Sequence, residues 1–161
     1  KTINPPFTSG FFCNSNVATF FLLSKVNTDL ITSALEQGYI PMIAPIAIEI
    51  DENSSPTGTI LNVNGDTAAG EIARSLKSNS IIFLTDVEGV LTKDKNLLKE
   101  VGKAEAYKLI EDGVVAGGMV PKVEACLRAL DSVTEAHIMD GRNSHAILGF
   151  NSGENLGTRI R

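Results

Sequence analysis

The stretch "ILNVNGDTAAGEIARSLKSNSIIFLTD", residues 60–86, decides the fold class. It opens on a short apolar run near Ile60–Val63, which reads as a strand. Ala68, Ala69, Ile72, Ala73 and Leu76 then recur at helical spacing, predicting a helix over Asp66–Lys77. "SIIFLTD" follows as an apolar run of strand length, as expected of a buried strand. Outward from this unit the same alternation continues. A helix is predicted from Asn27 or Thr28 to Gln37, with Gly38 as its stop. "YIPMIAPIAIEI" (Tyr39–Ile50) reads as a strand buried on both faces, and Asp51–Thr59 as a turn-rich loop. Helices are predicted at Glu105–Gly113, at Pro121–Leu130, with proline tolerated in the first turn, and near Ser144–Leu148. Strands are predicted at Glu135–Asp140 and in the closing "GTRIR". Strands alternating with helices imply an α/β fold, a mostly parallel sheet sandwiched between helices.

The chain has 161 residues, enough for one domain with a real core. Lys plus Arg number 14 against 19 for Asp plus Glu, and no basic run occurs, so no nucleic-acid surface is expected. Cys13 and Cys126 lie in no CxxC or Cys/His cluster; two reduced thiols are expected, and no zinc site. "FFCNSNVATFFLL" (Phe11–Leu23) is shorter than the ~18 residues of a membrane span and is broken by Asn14, Ser15 and Asn16. No membrane partner is expected. The first residue is lysine, and residues 1–24 show no clean period.

Ligands of open α/β sheets bind at the carboxyl ends of strands. Three polar features fall there: Asn62, Asn64 and Asp66; "TDVEGV" (Thr85–Val90); and "AGGMVPK" (Ala116–Lys122). Gly117 and Gly118 allow backbone amides close to an anion, and the helix that follows adds its dipole. Lys122 sits in the first turn, where the dipole disfavours a cation and a bound phosphate would compensate. Each feature also has an ordinary explanation: a turn, an N-cap at Asp66, or edge polarity at two asparagines sharing one strand face. His137, in an apolar strand, reads as structural, and His145 as a surface helix residue.

"GYIPMIAPI", "LNVNGDTAAGEIA", "IIFLTDVEGVL", "LIEDGVVAGGMVPKVEACLRAL", "HIMDGRNSH" and "GTRI" together resemble the C-terminal part of the N-acetylglutamate kinases, in the amino-acid kinase family. The resemblance covers residues 25–161 and leaves 1–24 as an unmatched N-terminal segment. It implies ATP-dependent phosphorylation of the side-chain carboxylate of N-acetyl-L-glutamate, in arginine biosynthesis, with Mg²⁺ carried by ATP. It assigns Lys122 to the transferring phosphoryl group and Asp66 to orienting the catalytic lysines. Asn62, with Asn64, is assigned to acetylglutamate. The nucleotide falls to Thr85, Asp86, Val87, Gly89, Val90 and Leu91, and to Val114, Val115, Ala116, Gly117, Gly118 and Met119.

The family's N-terminal half carries a second catalytic lysine and a Gly-Gly loop, and nothing in Lys1–Ser24 resembles it. The chain is therefore expected to be a fragment, inactive alone. A non-catalytic nucleotide-binding or regulatory fragment is the alternative, and a family kinase acting on another acid is a third reading. His145 and Gly157 match arginine-effector positions, but Gly149 and Phe150 stand where a glutamate belongs, so feedback by arginine is not implied. The likeness to plant and algal forms implies a plastid stroma and a PII signalling protein as partner; otherwise the compartment is cytoplasmic. The family forms homo-oligomers.

Overall fold

The computed structural model describes residues 11–14, 22–154 and 156–161, with side chains from Lys25 onward. Most of the segment 1–24 therefore lies outside the described residues. Its backbone at β1 (Phe11–Asn14) and the start of β2 (Leu22–Val26) is in strands. These belong to a four-stranded sheet ordered β2-β1-β3-β4, with β3 at Ile46–Ile50 and β4 at Pro56–Asn62. β1 runs parallel to β3, and β3 pairs antiparallel with β4 as a hairpin.

The strand expected over Tyr39–Ile50 is only its last five residues. Pro41 and Pro45 bring no N–H to a ladder, so the strand does not run through them, although Pro45 O still accepts from Val63 N–H at 2.9 Å. Before it, α1 (Asp29–Glu36) ends in a Schellman turn. Gly38, at φ +82°, donates to Leu35 O, and Tyr39 N–H donates to Ala34 O. The turn expected over Asp51–Thr59 is shorter than read. Asp51 Oδ1 accepts from the Asn53 and Ser55 amides at 2.9 and 2.8 Å, and β4 resumes at Pro56. Proline is tolerated there as the first residue of an edge strand.

α2 (Gly65–Leu76) leads to a second sheet, ordered β5-β7-β8-β6. It comprises β5 (Ser80–Thr85), β6 (Glu100–Val101), β7 (Glu135–Asp140) and β8 (Thr158–Ile160). β5 and β7 are parallel and in step, from Ser80 opposite Glu135 to Thr85 opposite Asp140. Their carboxyl ends therefore open on one edge. β8 runs antiparallel to β7 and parallel to β6, so parallel and antiparallel pairings are mixed in both sheets. α3 (Lys103–Glu111), α4 (Met119–Ala129) and α5 (Ala146–Asn151) complete the fold. α4 packs on β5 and β7, and α2 packs on α4, β5 and β2.

The two sheets are unequally buried. Around the second, Ile81, Phe83, Val123, Leu127, Ile138 and Ile160 belong to one continuous core. Behind the first, the buried apolar cluster among the described side chains is Ala47, Val63 and Ala68. Leu30, Tyr39, Ile40, Met42, Ile43 and Ile46 are exposed on that half. No helix of the described residues is long and apolar enough to cross a membrane.

Candidate active site

The junction between β4 and α2 separates its three polar residues by role. Asn62 ends the strand and is exposed. Asn64 lies outside the strand, so the two asparagines do not share a strand face. Its backbone is extended and its Oδ1 accepts from Thr67 N–H at 3.0 Å. The N-cap of α2 is thus Asn64 and not Asp66, because the chain turns helical at Gly65. That leaves Asp66 free to face another element.

The element is α4. Lys122 Nζ donates to Asp66 Oδ2 at 3.1 Å, joining residues 56 apart in sequence, with both side chains about four-fifths buried. Each helix start explains its partner. The dipole of α2 stabilises Asp66 in its first turn, and that of α4 opposes Lys122 in its own; the ion pair offsets this cost. Water is largely withheld, so the pair is screened less than a surface one. Cys126 stands one turn beyond Lys122. Burial, with Asp66's charge adding to it, pushes its thiol up to about 12.

The loop 114–118 enters α4 with open space before it. A Cβ built on Gly117 or Gly118 would meet nothing within 4 Å, and Gly117 has φ +56°. Gly118 caps α4 without a side chain, while Met119 N–H donates to Ala116 O. Along the loop, Ala116, Gly117 and Gly118 are exposed, Val114 and Met119 half-buried, and Val115 belongs to the core. The loop thus presents exposed glycine backbone and open space ahead of α4.

The second edge lies past the carboxyl ends of β5 and β7. Thr85 O accepts from Gly141 N–H at 2.8 Å, and Thr85 Oγ1 donates to Asp86 Oδ1 at 3.2 Å. Asp86 is exposed and Val87 half-buried; Gly89 and Val90 are buried, and Leu91 bridges to Leu97. Val90's side chain is core, and its N–H donates to Thr158 Oγ1 at 2.8 Å, which in turn donates to Leu98 O at 2.6 Å. Thr158 thereby ties the 85–91 loop to β8, a role with no motif to betray it. Glu88, Leu97, Met139, Asp140, Asn143 and Gly157 line part of a cavity of about 270 Å³ at this edge.

Asp140 is held there by Arg142 through two side-chain contacts, at 2.9 and 2.8 Å. Arg142 lowers the Asp140 carboxyl to about 2. Asp86 and Glu88 add to the field that raises Arg142. Arg142 is a contact that reading "MDGRNS" did not single out. Its signal was a cation two residues past an acid at a strand end. Replacing it, Arg142→Ala, is expected to return Asp140 toward the ordinary carboxylate value of about 3.9. A carboxyl-carbon NMR titration checks this; a midpoint still near 2 refutes the pairing. His145 heads α5 in the left-handed region at φ +73° and is exposed, while Gly157 packs on β7. His137 is buried, its ring edge-on to Phe150 at 4.6 Å.

Acetylglutamate kinase of Trichlorobacter lovleyi is 45% identical over 125 residues, covering 77% of this chain and 41% of that one. The kinase of the same name from Solidesulfovibrio magneticus is 44% identical over 140 residues, covering 86% and 45%. The chain thus spans under half the length of these curated relatives. Among solved structures, N-acetylglutamate synthase of Neisseria gonorrhoeae, complexed with coenzyme A and N-acetyl-glutamate, superposes with a TM-score of 0.79 at 21% identity, covering 94% of this chain and 36% of that one. Carbamate kinase of Giardia lamblia, bound to AMP-PNP, gives 0.66 at 23%, covering 88% and 46%. The family model described as the amino acid kinase family matches residues 13–140, beginning inside the segment that sequence reading left unmatched. With that match over most of its length, the chain belongs to the amino acid kinase family.

Proposed function

We propose that this chain is the nucleotide-side part of an acetylglutamate kinase, transferring the terminal phosphoryl group of ATP to the side-chain carboxylate of N-acetyl-L-glutamate. The observation that carries the reading is the Lys122–Asp66 ion pair, set where two helix starts meet. Identity near 45% to kinases of that name supports it. A glutamate carboxylate, with an ordinary pKa of about 4.3, is already ionised at neutral pH. It needs no general base. Catalysis is then positioning plus charge stabilisation. Lys122 meets the negative charge of the phosphoryl group, and Asp66 keeps its ammonium aimed. Asn62 and the Nδ2 donors of Asn64, whose Oδ1 is committed to the cap, serve the acetylglutamate.

The loop 114–118 takes the phosphates and the 85–91 segment the nucleoside. Among the described residues no three His, Cys, Asp or Glu side chains group to hold a metal. Mg²⁺ would come on the phosphate oxygens of ATP, neutralising part of their charge. Turnover requires the part of the relatives' length that this chain does not span. The exposed apolar side chains of α1 and residues 39–46 favour a second reading for the isolated chain, a nucleotide-binding piece without turnover.

Calorimetry with ATP and Mg²⁺ tests the reading. Wild type is expected to bind, and Lys122→Ala to lose on the order of 1–3 kcal/mol of binding free energy. A folded wild type that binds no ATP sinks the proposal for this chain.

A further inference from the structure

α2 and α4 lie side by side and point the same way, and three successive rungs join them. Asp66 meets Lys122 at the heads. Gly70 meets Ala125 next, and Glu71 meets Arg128 beyond. From Lys122 to Ala125 is three residues, about 4.5 Å of helical rise. The middle rung has little slack. A Cβ on Gly70 would stand 3.0 Å from the Ala125 carbonyl oxygen and 3.2 Å from its Cβ, and Ala125 is 0% exposed. The third rung is a buried carboxylate. Glu71 is 7% exposed and accepts from Arg74 on its own helix at 2.9 and 2.6 Å. Its other oxygen lies 3.8 Å from Arg128 Nε across the helix pair. That Nε is buried and has no hydrogen-bond partner, so its compensation is the Glu71 charge. A buried cationic N–H with no neighbouring anion would be strongly unfavourable. Sliding α4 along α2 would break this contact.

We infer that Gly70, Glu71 and Arg128 are positioning residues: they fix the separation and register of α2 and α4 and so hold Lys122 against Asp66. The inference deepens the proposed phosphoryl transfer and rests on it for its functional meaning. Lysine is a flexible point charge that follows wherever its stem allows. Its aim must therefore come from helices that cannot part, and a close Gly–Ala contact with a charged bridge behind it supplies that. None of the three is among the residues assigned above to the substrates.

The test reads Lys122 itself. In ¹⁵N-lysine-labelled protein, the Lys122 ammonium resonance is followed by NMR, identified by its loss in Lys122→Arg and its shift in Asp66→Asn. Glu71→Gln and Arg128→Gln are expected to shift it as Asp66→Asn does, and to weaken ATP·Mg²⁺ binding about tenfold. Lys103→Ala, which removes an exposed ion pair to Asp131 outside the three rungs, is expected to leave both unchanged. If Glu71→Gln fails to fold, as judged by circular dichroism, Arg128→Gln decides, since that side chain is partly at the surface. An unmoved Lys122 resonance in folded Arg128→Gln overturns the inference. So does a wild type without any Asp66-dependent resonance, or a Lys103→Ala that moves it equally. A wild type that shows the resonance but binds no ATP removes the kinase proposal and leaves the clamp standing.

Discussion

Gly157→Ala is expected to cost about 3–5 kcal/mol of folding stability, as the sum of backbone strain and overlap. Gly157 has φ +75°, where alanine is strained, and its Cα approaches β7 edge-on. A Cβ there would overlap Ile138 O outright and stand 2.8 Å from Met139 Cα. Neither can yield, because Ile138 and Met139 are fully buried backbone in β7. A domain of this size has on the order of 5–15 kcal/mol in total, so the variant sits near the edge of folding. Gly153→Ala separates the two contributions. That glycine has φ +89° with nothing within 4 Å of a built Cβ, so it carries strain without overlap. Urea unfolding of the two variants beside wild type is the measurement. Equal midpoints for both would refute the close approach at β7.

The second large effect is alkaline. The Cys126 thiol ordinarily ionises near 9.0, and in the fold burial pushes it up to about 12. Thiolate is the charged form, so the unfolded chain loses its proton first as pH rises. The folded thiol's contribution is complete below 9 and is lost between 9 and 12. At about 1.4 kcal/mol per unit, the loss over that window approaches 4 kcal/mol. Urea midpoints between pH 8 and 11, in a Cys13→Ser background so that one thiol is read, are expected to fall steeply. Adding Cys126→Ala should flatten that fall, at the expense of a small void. A fall of equal slope in both would place its origin elsewhere.

What was legible in the sequence follows from which forces act locally. The α2 and α4 patterns, Gly38 as a helix stop, and Glu135–Asp140 as a buried strand are short-range signals, and each appears at or near its expected bounds. The apolar run at Tyr39–Ile50 misled because hydrophobicity does not reveal where proline removes the ladder. The cap went to Asn64 and not Asp66 because Asp, Asn and Ser are near-equal caps, and backbone entry decides among them. Lys122 and Asp66 could each be suspected singly; their contact is a tertiary fact, made across two helices by residues 56 apart in sequence. Thr158, bridging Val90 and Leu98 from the far end of the chain, and the Glu71–Arg128 bridge left no local mark.

Among the described side chains, the unequal interiors of the two sheets set an order of breathing. Partial opening begins where the fewest buried apolar contacts must be given up. That is the β3–β4 hairpin over Ala47, Val63 and Ala68, while β5 and β7 open last. Asn62 belongs to the yielding layer, whereas Lys122 rides on the slow one. Asp66 stands on the helix that packs against both. The proposed carboxylate acceptor would thus be held by the softer wall of the site, and the phosphoryl-facing cation by the stiffer.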